Sequence, residues 1–167
     1  MATLRSDFDT LVNALSAELY RYAMGLCHNR DTAEDLVQET FLRAWRARAD
    51  LRDSKAARAW LYTILRNEHA RLYERQRPLA RDPQGLPEIP VSGYDDRAEA
   101  FAMRRALAGL AAEYRDPLLL QVIGGFSCKE IGAMLELNTN TVLTRLFRAR
   151  KMLRERLGER PLREAIQ

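Results

Sequence analysis

Apolar positions recur at helical spacing along most of the chain. Between residues 8 and 27 they are Phe8, Leu11, Val12, Leu15, Leu19, Tyr22 and Leu26. Steps of three and four wrap one face of an α-helix, and no proline interrupts them. Asn29-Arg30-Asp31 follows. Asp31 with Glu34 three residues on predicts a capping box that opens a second helix. The apolar stripe of that helix is Ala33, Leu36, Val37, Thr40, Phe41, Ala44 and Trp45, with Leu36, Phe41 and Trp45 as core candidates. Its other face carries Asp35, Gln38, Glu39, Arg43 and Arg46. Residues 50–54 read as a connection. A third helix is predicted from about Ala56 to Arg75, with Trp60, Ile64 and Leu65 in its core. Arg58, Arg66, Arg71 and Arg75 line it, and Tyr62 and Tyr73 sit among these charges.

Pro78, Pro83, Pro87 and Pro90, with Gly85 and Gly93, then interrupt any helix. After them, residues 95–113 have helical spacing, with Phe101, Met103, Leu107 and Leu110 as candidate core. Asp116-Pro117 predicts an N-cap with proline at the first helical position. Leu118 to Ile123 would be a short buried helix, ended by Gly124-Gly125. Ser127 and Glu130 form a second capping-box signature, opening a helix to about Glu136. A three-residue turn and a long helix from about Thr139 to Leu157 complete the pattern. There is no strand pattern and no internal repeat. The fold class is therefore all-α. Two small helical domains, residues 1–78 and 98–167, are expected on either side of a linker at 79–97. Each has room for only a marginal core.

The 167 residues carry a net charge of +4. That is mildly basic, so distribution matters more than total. Residues 98–167 hold 12 basic and 8 acidic side chains, and residues 79–97 hold 2 basic and 4 acidic. Arg145, Arg148, Arg150, Lys151, Arg154 and Arg156 fall within twelve positions. Such clustering on one element is an electrostatic footprint for nucleic acid, although a solvated helix face produces the same run. Cys27 and Cys128 are too few for a disulfide framework, and Cys27-His28 lacks metal-ligand spacing. The residues offer no metal cluster, nucleophile–base pair or phosphate-cradling glycine loop. Neither a metal nor a cofactor is expected, and an enzyme is disfavoured. The start lacks the apolar run of a signal peptide, and no stretch approaches 18 apolar residues. A cytoplasmic location without membrane insertion is expected.

The last two helices form a helix-turn-helix pattern. Ile131, Leu135, Leu137, Val142 and Leu146 would close its core. The final helix would then expose Asn138, Thr139, Asn140, Thr141, Thr144, Arg145 and Arg148, with Lys151 further along. Short polar residues at the start of such a helix suit base edges in the major groove. Asn matches adenine, Arg matches guanine, and a Thr methyl meets the thymine methyl. The basic residues beyond suit phosphates, which position without specifying.

Residues 126–132 and 141–151 resemble the C-terminal DNA-binding region of sigma factors, which reads the minus-thirty-five promoter element. The run Ala33-Glu34-Asp35-Leu36-Val37-Gln38-Glu39-Thr40-Phe41-Leu42-Arg43-Ala44-Trp45 is similar to the family's region-two segment. In that family the segment binds the clamp helices of the polymerase largest subunit. Trp60-Leu61-Tyr62-Thr63-Ile64-Leu65-Arg66-Asn67 looks like the segment that melts and reads the minus-ten element. The three come in the family's order over about residues 8–157. No extra middle domain intervenes, which points to the extracytoplasmic-function branch. The chain departs from the family's habits at Glu136, Leu143, His69 and the turn Asn138-Thr139-Asn140.

The resemblance implies a transcription initiation factor whose partners are bacterial RNA polymerase core, promoter DNA in duplex and single-stranded form, and an anti-sigma factor. It assigns Asp35, Gln38, Glu39 and Arg43 to the polymerase clamp. Arg58, Tyr62, Arg66 and Asn67, with the connection 51–57, would handle single-stranded DNA, which needs positive charge and somewhere to place unstacked bases. The linker's nineteen residues span at most roughly 60 Å, enough to bridge two promoter elements. Two other readings remain: a sigma-like decoy that titrates an anti-sigma factor, and an ordinary helix-turn-helix regulator binding duplex DNA alone as a dimer.

Overall fold

The computed structural model describes residues 2–50, 53, 56–76 and 98–158, and every element among them is helical. The helices are α1 (Ala2–Cys27), α2 (Arg30–Arg46), α3 (Ala57–Gln76), α4 (Ala98–Ala108), α5 (Ala112–Val122), α6 (Cys128–Leu135) and α7 (Thr139–Leu157), with a 3₁₀ turn at Arg48–Asp50. The expected linker 79–97 and residues 51, 52 and 54 of the expected connection 50–54 lie outside the described residues. Two compact units divide the chain, residues 1–84 and 85–167. No helix among the described residues is long and apolar enough to cross a membrane.

In the first unit, α1, α2 and α3 each pack against the other two. The core comes from one stripe per helix. Helix α1 buries Leu15, Leu19, Tyr22, Ala23 and Leu26; α2 buries Ala33, Leu36, Thr40 and Ala44; α3 buries Ala57, Leu61, Tyr62 and Leu65. Alanines at 33 and 44 let α2 approach its neighbours closely. Thr40 satisfies its buried hydroxyl by donating to the Leu36 carbonyl at 2.6 Å, so a polar residue sits in the core without an orphaned group. The α1–α2 corner departs from expectation. Asn29 is the N-cap of α2, its Oδ1 accepting from the Thr32 N–H at 2.9 Å. Asp31 therefore lies in the first turn of the helix, and Glu34 pairs with Arg30 at 3.0 Å. The chain reaches Asn29 through His28, a buried residue with φ 54 that closes α1.

A polar cluster ties α1 to α3. Glu18 Oε1 accepts from Arg58 Nε at 2.9 Å and from the Tyr62 hydroxyl at 2.6 Å. The Tyr62 ring lies 4.7 Å from that of Tyr22, within the range of a stabilising aromatic pair. This corrects two expectations. Tyr62 is core, with no exposed surface, while Trp60 and Ile64 are only partly buried. Tyrosine wins the core place because its hydroxyl finds a carboxylate there and its ring finds a second ring.

The second unit is built around α7, which packs against α4, α5 and α6. Val142, Leu146, Ala149 and Leu153 of α7 meet Leu118, Leu119, Leu120, Phe126 and Ile131. The helix expected over 95–113 is two helices. Helix α4 stops at Ala108, where Gly109 leads into the buried Leu110. Helix α5 then starts at Ala112, so Pro117 lies inside it instead of opening it. The Tyr114 and Arg115 N–H groups donate to the Ala111 carbonyl at 3.0 Å, forming the first turn ahead of the proline. Pro117 removes only one helix bond, near the exposed end, and its ring is buried. Phe101, expected in the core, is 39% exposed.

Burial and the bond to Glu18 both hold the Tyr62 hydroxyl neutral, raising its pKa well above the ordinary tyrosine value. The unfolded chain ionises near pH 10 and the folded chain does not, so this contribution is complete below about pH 10 and is lost as pH rises further. Tyr62→Phe should cost about 1–2 kcal/mol at neutral pH by removing a donor to a carboxylate. The variant should also lose less stability than the parent above about pH 10. Urea unfolding across that range checks both. Parallel pH curves for the two proteins would show that Tyr62 titrates normally.

Candidate nucleic-acid interface

The start of α7 is built by two local devices. Ser127 caps α6, its Oγ accepting from the Glu130 N–H at 3.2 Å, while the Glu130 carboxylate accepts from the Ser127 N–H at 2.7 Å. That capping box fixes where α6 begins. The helix ends at Glu136, which adopts the left-handed conformation with φ 56. Gly132 allows the tight turn: a Cβ there would lie 2.6 Å from the Leu137 carbonyl oxygen. Asn138 then caps α7, its Oδ1 accepting from the Thr141 N–H at 2.8 Å and the Thr141 hydroxyl at 2.9 Å.

The result is an open polar cleft of about 510 Å³. Asn138, Asn140, Thr141, Thr144, Arg145 and Arg148 face it, and α5 contributes Glu113 and Tyr114. Six of the eight residues expected on the reading face are thus brought together. Thr139 and Lys151 are exposed on the same helix but do not line the cleft. The hydroxyls are partly committed. Thr144 Oγ1 donates to the Asn140 carbonyl at 3.0 Å, so the threonines present methyl groups as much as hydroxyls. Arg145 Nη2 lies 3.8 Å from Glu113 Oε2. The basic cluster is not uniform. Arg156 donates to the Ala106 carbonyl at 2.9 Å and Arg150 donates to Gln121 Oε1. Those two tie α7 to α4 and α5, while Arg148, Lys151 and Arg154 remain on the surface.

In the first unit, the residues expected to meet the clamp separate into two groups. Asp35 and Gln38 are exposed. Glu39 and Arg43 belong to an ion-pair chain: Glu39 to Arg43 at 2.9 Å, Arg43 to Glu68 at 2.9 Å, and Arg71 to Glu68 at 3.0 Å. That chain joins α2 to α3. Beside it lies an open, mostly apolar groove of about 650 Å³, lined by Phe8, Asp9, Gln38, Phe41, Leu42 and Trp45. Phe41 and Trp45, expected in the core, are only partly buried. Both rings pack edge-on against Phe8, at 6.5 Å and 5.1 Å. On α3, Arg58 pairs with Glu18 and lies over the Tyr62 ring. Arg66 is half-buried and Asn67 exposed. Buried as it is, Tyr62 offers no face on which a base could stack.

Two family descriptions match the chain in order: Sigma-70 region 2 over residues 11–78 and Sigma-70 region 4 over residues 100–153. The ECF RNA polymerase sigma factor SigL of Mycobacterium tuberculosis is 35% identical over 150 residues, covering 86% of this chain and 85% of its own. The chain belongs to the ECF RNA polymerase sigma factors. SigE of Mycolicibacterium smegmatis, another of them, is 31% identical over 92% of this chain, which spans 62% of SigE's length. The solved sigma factor RpoE of Bartonella quintana, in complex with the anti-sigma factor NepR, superposes with a TM-score of 0.80 at 28% identity, over 93% of this chain and 99% of that one.

Three features of this sigma factor were not read from its sequence. Glu113 and Tyr114 reach the cleft from a helix twenty-odd residues upstream, and no local pattern marks them. Phe8 and Leu42 complete the groove; Leu42 lies off the core stripe and is 51% exposed, which a helical wheel does show. Leu143 and Phe147, one turn apart on α7, are exposed at 51% and 63%. Among the described residues, no group of three or more His, Cys, Asp or Glu side chains could hold a metal ion.

Glu136 holds a conformation that costs an L-residue roughly 1–2 kcal/mol. Glycine takes it without strain but loses more entropy on folding. Glu136→Gly should therefore stabilise the second unit by about 0.5–1 kcal/mol and raise its unfolding midpoint. Thermal unfolding followed by circular dichroism checks this. A lower midpoint would mean that the Glu136 side chain stabilises the turn more than its backbone strains it.

Proposed function

We propose that this protein binds bacterial RNA polymerase core, directs it to promoters carrying two upstream elements and helps to open the DNA, with no active site of its own. The observation that carries this reading is the pairing, in one short chain and in the family's order, of a region-2 bundle and a region-4 helix-turn-helix whose final helix presents an open polar cleft. The cleft side of α7 reads the minus-thirty-five element in the major groove. Asn140 and Arg145 supply side-chain groups for base edges, the threonine methyls supply apolar contact, and Arg148 and Lys151 meet phosphates. Helix α3 handles the minus-ten strand through Arg66 and Asn67. Arg58 contributes charge from within its pair with Glu18, and Tyr62 supports that face from below.

Polymerase docking uses the exposed part of α2. Asp35 and Gln38 give polar register, and Leu42 beside the Phe8–Trp45 groove gives apolar area. Polar contacts chiefly set partner choice and association rate, while a desolvated apolar centre holds the complex. Glu39 and Arg43 act through the α2–α3 ion pairs. RpoE is in complex with the anti-sigma factor NepR, and CnrH with the cytosolic domain of CnrY. An anti-sigma factor is the corresponding partner here, and the same face of the first unit suits it.

The deciding experiment is transcription by purified core polymerase on fragmented bacterial genomic DNA, with and without the protein, mapping RNA start sites. New starts that share two upstream sequence elements support the reading. Core binding without new starts would favour a decoy, and absence of core binding would favour a stand-alone regulator. Gln38→Ala combined with Leu42→Asp should weaken core binding about tenfold or more, a loss of roughly 1.4 kcal/mol or above. The unfolding midpoint should stay within a few degrees, since both side chains are exposed. Arg43→Ala should show the opposite balance, lowering stability through Glu68 more than it lowers affinity. Normal core affinity in the double variant would remove α2 from the docking surface.

A further inference from the structure

The cleft of the second unit contains one group that does not suit a DNA-binding surface. Glu113, in the first turn of α5, faces Arg145 of α7 across it. The side chain of Glu113 is 51% exposed and that of Arg145 is 28% exposed. A carboxylate beside a phosphate backbone is repelled, and acidic residues on such a face weaken binding unless they do something else. Stability is a poor explanation. At 3.8 Å the pair is an ion contact rather than a hydrogen bond, and half-exposed pairs contribute little to folding.

We propose that Glu113 is a specificity-determining residue for promoter recognition: it holds Arg145 by one edge of its guanidinium, aimed across the cleft at base edges and away from the phosphates. This inference rests on the reading that α7 enters the major groove. A guanidinium has five N–H donors in a fixed plane. Glu113 attracts the Nη2 end, and the remaining donors stay available to guanine O6 and N7, the commonest specific contact of arginine. Released from Glu113, the same side chain gains the freedom to reach the backbone, where it binds any sequence. The carboxylate's own repulsion of the phosphates is the same on matched and unmatched sites, so it lowers affinity for both. Only its hold on Arg145 separates them. Glu113 thus lowers general affinity and raises the ratio between right and wrong sequences, which is the quantity that matters among many competing sites.

The test uses the full-length protein bound to core polymerase. The duplexes carry either the minus-thirty-five element found by start-site mapping or a scrambled one, with the same minus-ten element, and affinities are measured at several salt concentrations. Glu113→Gln keeps size and polarity and removes the charge. It should tighten binding to the scrambled duplex, steepen its log–log salt slope by about one and lower the matched-to-scrambled ratio about fivefold or more. Glu113→Asp should keep most of that ratio. In an Arg145→Ala background, Glu113→Gln should leave the ratio unchanged, since the residue acts through Arg145. A merely structural role would lower the unfolding midpoint and weaken both duplexes alike, and would overturn the proposal. So would an unchanged ratio and salt slope in Glu113→Gln while Arg148→Ala still weakens binding; that result leaves the groove reading intact. If the parent protein itself fails to distinguish the two duplexes, the groove reading falls and this inference falls with it.

Discussion

Helix α7 has one cylinder for two tasks, and the phase between them governs the second unit. Its inner face must fill the core with Val142, Leu146, Ala149 and Leu153. These recur at steps of four, three and four, which is the helical repeat. Once they are buried, the directions of the intervening residues follow. Asn140, Thr144 and Arg148 come to lie together on the outside, with Thr141 and Arg145 at the flank nearer to α5. The proposed reading surface is therefore not separable from the core. A shift of α7 by one residue would rotate the cleft by about 100° and bury polar groups without partners. The devices around the turn guard against that slip: the Ser127–Glu130 box starts α6, Gly132 admits the close approach of Leu137, and the Asn138 cap fixes the first turn of α7.

The same constraint sorts the arginines. Six basic side chains crowd residues 145–156, and by charge alone they are equivalent. Their positions around α7 make them different. Arg150 and Arg156 point back at Gln121 and Ala106 and hold the helix to its neighbours. Arg145 is drawn sideways to Glu113, and Arg148, Lys151 and Arg154 face outward. A similar sorting holds in the first unit, where Arg43 and Arg58 are tied to Glu68 and Glu18 while Arg66 lies beside the exposed Asn67. Arginine is suited to such double use, because its planar fork can satisfy one carboxylate and still offer donors elsewhere.

Most of the helices were legible in the sequence because burial imposes a period that needs no knowledge of partners. The stripe 15-19-22-26 and the stripe 142-146-149-153 each announce a helix and its inner face. The Ser127–Glu130 box and the α7 boundary at Thr139 were equally readable, being local. The failures came where a local signal had a nearby competitor. Asn29 lies two residues before Asp31 and takes the N-cap. Ala112 and its neighbours begin a good helical turn before Pro117 can claim the start. Gly109 ends α4 in a stretch whose apolar spacing runs on past it. The candidate reading residues were legible because they share one helix. Their partners were not, since Glu113 reaches the cleft only through tertiary packing of α5 on α7.

Tyr62 shows why residue type is a weak guide to a role on an arginine-rich helix. A tyrosine among positive charges reads as a stacking platform for bases, and tryptophan at 60 reads as core. The structure buries Tyr62 and leaves Trp60 only partly buried, for an energetic reason. Burying a tyrosine hydroxyl is costly unless it has an acceptor, and the only sign of an acceptor would have been Glu18, forty-four residues earlier on α1. With Glu18 present, the Tyr62 ring packs at a tilt against Tyr22 and its hydroxyl shares the carboxylate with Arg58. The α3 surface proposed to meet DNA is therefore narrower than the sequence implies, and it is carried by side chains whose support lies in the core. Charge on that face is set from beneath, by the carboxylate that Arg58 and Tyr62 both use.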